Sequence, residues 1–200
     1  SPAPEYLQQL LQMQSVMEQL AKQQTSTLNA MEALKQHPLI DKKAQNALSK
    51  VAQIQKEQIA QLEKEIMELT RQHYQTEYVS LTSIPGIGKK TAMLLILATD
   101  GFTRFENIKQ LVAYTGIAPR IFQSGKTVNK KPKISKLGMA DLRRSLYMCT
   151  LRAIEQNEAC KNLYERLRQK GKAAKVALMA VCHKLLRQAF AVVKNKTEYK

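Results

Sequence analysis

The chain has 200 residues, 44% of them hydrophobic, and carries 32 Lys and Arg against 16 Asp and Glu, a formal net charge of +16. This length supports one large or two small domains with a packed core, and no run of about 18 consecutive apolar residues offers a membrane span. Three cysteines, Cys149, Cys160 and Cys182, form no CxxC pair, which argues against a disulfide framework or a cysteine metal site and for ordinary thiols in a reducing compartment.

The sequence opens Ser1-Pro2 with neither Met nor signal peptide, so the expectation is a cytoplasmic protein and a piece of something longer. Its charge is segregated. Residues 1–80 hold eight Lys and Arg against nine Asp and Glu, a net of −1, whereas residues 81–200 hold 24 against seven, a net of +17. An excess of that size repels itself within a compact domain and is relieved by a polyanion. The second half is therefore expected to bind nucleic acid in a salt-dependent way.

The boundary falls near residue 77, with a hairpin over 1–77 and a helical domain over 78–200. In residues 5–36, Leu10, Met13, Met17, Leu20, Gln24, Thr27, Met31 and Leu34 recur at alternating steps of three and four, the spacing of a coiled-coil seam. His37-Pro38 ends this helix, because proline cannot continue it and forces its predecessor out of the α region. Asp41 is placed to cap a second helix, which repeats the spacing at Leu48, Val51, Gln55, Ile59, Leu62, Ile66, Leu69 and His73. Two long helices across a short break predict an antiparallel hairpin about 45–50 Å long at 1.5 Å per residue. Its narrow stripe leaves room for a second copy, so a homo-oligomer is expected; a hairpin satisfied within one chain is the alternative.

The middle of the chain reads Ile84-Pro85-Gly86-Ile87-Gly88-Lys89-Lys90-Thr91-Ala92, the pattern of a helix-hairpin-helix motif. Gly86 and Gly88 permit a tight turn and close backbone approach. The following helix directs N–H groups at an anion, and Lys89 and Lys90 add charge. Such a turn grips phosphates without reading bases. The helix runs to about Thr99, where Asp100-Gly101 stops it, and Phe105 to Tyr114 forms another that ends at Gly116.

Residues 120–144 form a basic segment, with Arg120, Lys126, Lys130, Lys131, Lys133, Lys136, Arg143 and Arg144 against the single acid Asp141. Its first part has turn chemistry in Ser124-Gly125, Asn129 and Pro132, and Ile121 to Val128 is the one place where a small β-ribbon fits an otherwise all-α chain. Ser124-Gly125-Lys126-Thr127 imitates the end of a Walker A loop, but Arg120 stands where the loop needs glycine, which excludes nucleotide hydrolysis. Helical patterning returns from about Leu137, with Leu142, Leu146, Cys149 and Ala153 on one face. A short helix follows over about 159–169, and a last one over about 173–194 carries Val176, Met179, Leu186, Phe190 and Val193 on a broad apolar face.

The hairpin turn, Phe105-x-x-x-x-Gln110-Leu111-Val112-Ala113-Tyr114-Thr115-Gly116-Ile117-Ala118-Pro119, Gln123-Ser124-Gly125, Ile134-Ser135-Lys136-Leu137-Gly138 and Leu142-Arg143-Arg144 occur in one order. Together they resemble the C-terminal half of the Piv/MooV-type transposases and DNA invertases, the insertion-sequence "one-ten" family, over about residues 78–195. The resemblance implies a two-part enzyme. An N-terminal domain binds Mg²⁺ through an acidic tetrad, and the C-terminal half supplies a serine nucleophile in a Ser-Gly pair, which falls here on Ser124 with Gly125. It also implies DNA as partner, a guide RNA in the better-known members, dimers and tetramers built partly through the coiled coil, and a nucleoid-associated place in a bacterial cytoplasm. The seven carboxylates after residue 80 show no metal-ligand spacing, so no metal is expected in this chain, and a serine without an activating base or metal is a weak nucleophile. The isolated chain is expected to bind DNA without cleaving it. The competing reading is a noncatalytic DNA-binding and dimerising module. A glycosylase-lyase reading, with Lys90 as Schiff-base lysine, requires a downstream aspartate; Asp100 comes too soon and Asp141 too late.

Overall fold

The computed structural model describes residues 4–117, 119–124, 128–134 and 140–200, with backbone alone for 119–140. The described residues are overwhelmingly helical, as expected for an all-α chain, and form two compact units, Ser1–His73 and Tyr74–Lys200.

The first unit is two long helices, α1 (Glu5–Lys35) and α2 (Lys42–His73). Pro4 precedes α1, Glu5 occupies its first turn and Lys35 its last, an order that complements the helix dipole. The chain reverses at the His37-Pro38 break, and Asp41 Oδ1 accepts the Ala44 N–H at 2.8 Å to cap α2. Tyr6 near the start of α1 stacks on His73 at the end of α2 with centroids 4.1 Å apart, so the helices are antiparallel. Leu10, Met17 and Ile66 are buried at seam positions, and Leu48, Ile59, Leu62 and Leu69 are half-buried.

Two positions of the expected seam are occupied differently. Val51 is 45% exposed and Ala52 is buried in its stead. The small side chain lets α1 approach closely enough for Gln24 Nε2 to donate to the Ala52 carbonyl at 3.3 Å. His73 is exposed and held by ring stacking, not by insertion.

In the second unit, α3 (Gln75–Thr82) leads through a short turn into α4 (Lys89–Thr99), followed by α5 (Ile108–Thr115). A two-stranded antiparallel ribbon comes next, β1 (Pro119–Ser124) paired with β2 (Val128–Ile134). It is longer than the segment patterning suggested. Then come α6 (Ala140–Gln156), α7 (Glu158–Gln169) and α8 (Ala174–Asn195). Helix α4 is buried all round from Thr91 to Thr99, and a helix with apolar surroundings on every side has no amphipathic stripe to read. It packs against α3 and α6, and Leu81, Ile84, Phe102, Leu111, Leu142, Leu146 and Leu185 elsewhere in this unit are fully buried too.

Helix α8 packs against α3, α5, α6 and α7. By length and composition it could cross a bilayer, but its apolar face is core: Ala177, Val181, Cys182, Leu185, Leu186 and Ala189 are all buried. Val176, expected on that face, is 56% exposed, since it lies in the first turn before α8 meets its neighbours. Helix α5 starts at Ile108 and not at Phe105, because Asn107 Oδ1 accepts the Gln110 N–H at 3.1 Å and fixes the cap there. Phe105 is instead buried in the preceding loop, 5.1 Å from the Tyr114 ring.

Candidate nucleic-acid interface

The turn between α3 and α4 is built by opposite demands on neighbouring residues. Ile84 and Ile87 are buried, and the Ile87 N–H closes back on the Ile84 carbonyl at 3.0 Å. Between them the chain passes through Gly86 at φ +104°, a region that L side chains avoid. A Cβ at Gly86 would lie 2.8 Å from Ala153 Cβ and 2.9 Å from Ala153 Cα. The close approach that requires this glycine is thus to α6.

Gly88 is different. It is extended at φ −83°, and a Cβ there would meet nothing within 4 Å. It precedes α4 without a side-chain cap, so the first N–H groups of the helix are left to other partners. Lys89 and Lys90 are exposed beside them. Thr91 turns inward: its Oγ1 lies 3.0 Å from Ser145 Oγ and accepts from Cys149 Sγ at 3.2 Å, fixing α4 to α6.

A polar network backs the turn. Asn157, 1% exposed, stands between α6 and α7 and caps α7, its Oδ1 accepting the Cys160 N–H at 3.2 Å. Its Nδ2 donates to the Pro85 carbonyl at 3.4 Å and to Gln188 Oε1 at 3.1 Å. Gln188 Nε2 donates to Tyr199 Oη at 2.9 Å, and the Tyr199 N–H donates to Ser83 Oγ at 2.7 Å. Ser83 Oγ in turn donates to the Ser80 carbonyl at 2.7 Å. The turn is therefore tied through side chains to the start of α7, to α8 and to the C-terminal segment. Sequence patterning passes over Asn157, Gln188 and Tyr199. Only Asn157 had a local signal, as an Asn between two helical stretches.

The basic segment divides between the ribbon and α6. In the ribbon register Arg120 is opposite Lys133, and Ser124 is opposite Val128. Ser124 is thus the last residue of β1 and lies at the connection end of the ribbon, while Lys130, Lys131 and Lys133 belong to β2. Gly125, Lys126 and Lys136 lie outside the described residues. On α6, Arg143 is half-buried and donates through Nη1 to the Thr115 carbonyl at 3.2 Å, placing a cation at the C-terminus of α5 where the dipole favours it. Arg144 is exposed and pairs with Asp141 at 2.9 Å.

The titratable groups away from this surface belong to the core. Burial pushes the Cys160 thiol up to about 11 and the Cys182 thiol up to about 12. Burial, then the Arg187 charge, holds His183 below the usual imidazole range. All three cysteines are free and buried. Among the described residues no three His, Cys, Asp or Glu side chains converge on one point.

Residues 79–165, from the end of α3 into α7, match the family described as Transposase IS116/IS110/IS902 family. Over 120 residues the chain is 35% identical to a pilin gene-inverting protein of Moraxella bovis and 34% identical to one of Moraxella lacunata; each alignment covers 60% of this chain and 37% of the relative. It is 28% identical over 119 residues to an uncharacterised 43.6 kDa protein of insertion element IS110 from Streptomyces coelicolor, covering 60% of this chain and 29% of that protein. The matched part thus spans 29–37% of the length of these relatives. The turn, the ribbon and α6 all lie inside the stretch that is similar to the IS116/IS110/IS902 transposase family.

Proposed function

We propose that this chain is the DNA-gripping, nucleophile-bearing part of an enzyme that breaks and rejoins DNA strands. The observation that carries the reading is the open start of α4. An uncapped first turn, a glycine facing empty space and two exposed lysines make a phosphate cradle in the half of the chain that holds the charge excess. In this reading α3, the turn and α4 act as a helix-hairpin-helix that takes backbone phosphates of any sequence.

Ser124 at the end of β1 is the nucleophile, with Gly125 beside it. Its Oγ forms a bond to a backbone phosphorus as the bond from that phosphorus to a deoxyribose oxygen breaks. The hydroxyl proton leaves Oγ, and the departing sugar oxygen takes up one. Rejoining reverses the exchange. The residues described here do not fit a Mg²⁺ site, so the metal that the resemblance implies, and the activation of Ser124, belong to a separate acidic domain. Lys126 and its neighbours stabilise charge on the transferring phosphoryl group.

The helical hairpin of the first unit serves as a coiled-coil joint between copies of the chain, through apolar residues such as Leu28, Val51 and Ile54 that it leaves exposed. A guide RNA is a further partner. The setting is the bacterial cytoplasm, at the nucleoid.

The test joins this chain to an acidic domain of the family, adds Mg²⁺ and a target duplex, and looks for a covalent protein–DNA adduct. The adduct is expected with Ser124 and not with Ser124→Ala, while the 200-residue chain alone binds duplex without cutting it. An adduct that survives Ser124→Ala removes Ser124 from the chemistry.

A further inference from the structure

A second basic surface begins at the end of the matched family stretch and runs beyond it. Residues 161–175 contain Lys161, Arg166, Arg168, Lys170, Lys172 and Lys175 against Glu165 alone. All seven are exposed, and among the described residues none of the six cations is engaged in an ion pair. All the cations but Lys161 lie within five residues of Gly171, at the corner where α7 turns into α8; Gly171 adopts φ +74°, and a Cβ there would meet nothing within 4 Å. The corner is ordered from within. Arg168 Nη1 donates to the Lys172 carbonyl at 2.6 Å, and the Lys172 N–H donates to the Leu167 carbonyl at 3.0 Å. Helix α8 then begins at Ala174 without a side-chain cap. Glycine, lysine and an open helix start recur here as they do at Gly88.

The hydrogen bonds fix how far apart the two turns are. Asn157 at the start of α7 bonds to Gln188 of α8, and the corner joins the other ends, so the two helices lie side by side and antiparallel. The 12 residues of α7 rise about 18 Å at 1.5 Å per residue. The stretch of α8 from its first residue to Gln188 gives about 21 Å by the same rise. Asn157 also donates to the Pro85 carbonyl. The corner therefore stands on the order of 20 Å from the turn that opens α4. A B-DNA major groove is about 12 Å wide, so this spacing reaches from the backbone on one side of a groove to the backbone on the other. Tyr164, half-buried in α7, is the one aromatic residue in 161–175 and residues 166–176 contain none, so the corner itself offers no ring to stack an unpaired base, which disfavours single strands.

We propose that the α7–α8 corner, with Lys170, Lys172 and Lys175 around Gly171, is a second contact to the phosphate backbone of duplex DNA, acting across a groove from the turn that opens α4. This rests on the DNA-binding reading given above and adds to it a second anchoring point. Two anchors about 20 Å apart hold the duplex in a defined orientation, which a single phosphate cradle leaves free to pivot.

The test is fluorescence anisotropy of the 200-residue chain on labelled 30-base-pair duplexes of unrelated sequence, between 50 and 300 mM salt. Wild type is compared with K170A/K172A/K175A, with the charge-keeping K170R/K172R/K175R and with K89A/K90A. Each lost phosphate contact removes about 0.9 from the slope of log affinity against log salt. The alanine corner variant is expected to lower the slope by about 2–3 and the affinity at 0.1 M salt by about 10- to 500-fold, equally on every sequence, with the arginine variant close to wild type. Its Tm should be unchanged or higher, because neutralising an exposed cluster relieves repulsion.

An unchanged slope in the corner variant, with a reduced slope in K89A/K90A, overturns the corner and leaves the α4 cradle standing. Wild type that fails to bind duplex at all overturns both. The same titrations on a labelled single strand complete the test, and a loss confined to the single strand overturns the duplex assignment.

Discussion

Replacing Gly86 by alanine tests the packing that positions the cradle. The new methyl would sit 2.8 Å from Ala153 Cβ and 2.9 Å from Ala153 Cα, and one of these partners is helix backbone, which cannot swing aside as a side chain can. At φ +104° an L-residue also pays a backbone strain of about 1–3 kcal/mol, and overpacking of this kind costs typically about 1–3 kcal/mol more. The sum predicts a destabilisation of roughly 2–6 kcal/mol, to be read from urea unfolding followed by far-UV circular dichroism. The two causes separate in a double-mutant cycle. Ala153→Gly removes the Cβ partner but not the strain, so G86A/A153G should recover part of the loss, with a coupling of about 0.5–2 kcal/mol. Gly88→Ala is the control: extended, with open space ahead of it, it should change stability by no more than about 0.5 kcal/mol while weakening duplex binding by crowding the start of α4. G86A as stable as wild type would refute the close approach to α6, and with it the account of how the turn is held.

Asn157→Ala removes the cap of α7 and leaves the Gln188 and Pro85 groups short of a partner. A cost of about 2–4 kcal/mol is expected in the same urea assay, with Asn157→Asp less damaging because it keeps the cap. The buried thiols give a pH prediction. In the fold Cys160 is raised to about 11 and Cys182 to about 12 from 9.0, so burial favours the protonated thiol. That stability is fully present below pH 9 and is lost as pH rises from about 9 toward 11–12. Thiol-reactive dye at pH 8 should label the native chain slowly and the urea-unfolded chain fully; rapid native labelling would contradict the burial.

Much of this architecture was legible because local signals and tertiary packing agree. The seam of α1 follows the steps Leu10, Met13, Met17, Leu20, Gln24, Thr27, Met31 and Leu34, each at least half-buried, and Pro38 and Asp41 bracket the reversal. Where patterning failed, a neighbour decided. An apolar repeat favours Val51 by size, but close approach of α1 selects Ala52. Phe105 looks like the first apolar position of a helix, but Asn107 sets the cap two residues later. The full burial of α4 is invisible to periodicity, since every face is apolar by necessity. Tyr199 carries no local signal, because its bonds reach Ser83 and Gln188 through tertiary structure alone. In the turn, the need for glycine was legible at Gly86, which takes φ +104°, whereas Gly88 is extended and meets no close neighbour. The role of Gly86 was not legible, since its close neighbour is a helix of the same chain.

The charge count is also corrected by geometry. Nothing in composition distinguishes one cation from another, yet the described arginines and lysines are used differently. Arg143 caps the carbonyl end of α5, Arg168 closes the α7–α8 corner on the Lys172 carbonyl, and the Arg104 guanidinium lies 5.8 Å from the Tyr114 ring centroid. Arg144 is matched by Asp141. A planar fork of donors suits carbonyls, carboxylates and ring faces, whereas a lysine ammonium is a hydrated point charge that lies easily near a phosphate. Lysines stand beside the two glycines whose surroundings are open, Lys89 and Lys90 after Gly88 and Lys170, Lys172 and Lys175 around Gly171. The excess of 17 charges after residue 80 therefore overstates how many groups are placed to meet DNA. Part of that charge holds the domain together through carbonyl, carboxylate and ring contacts.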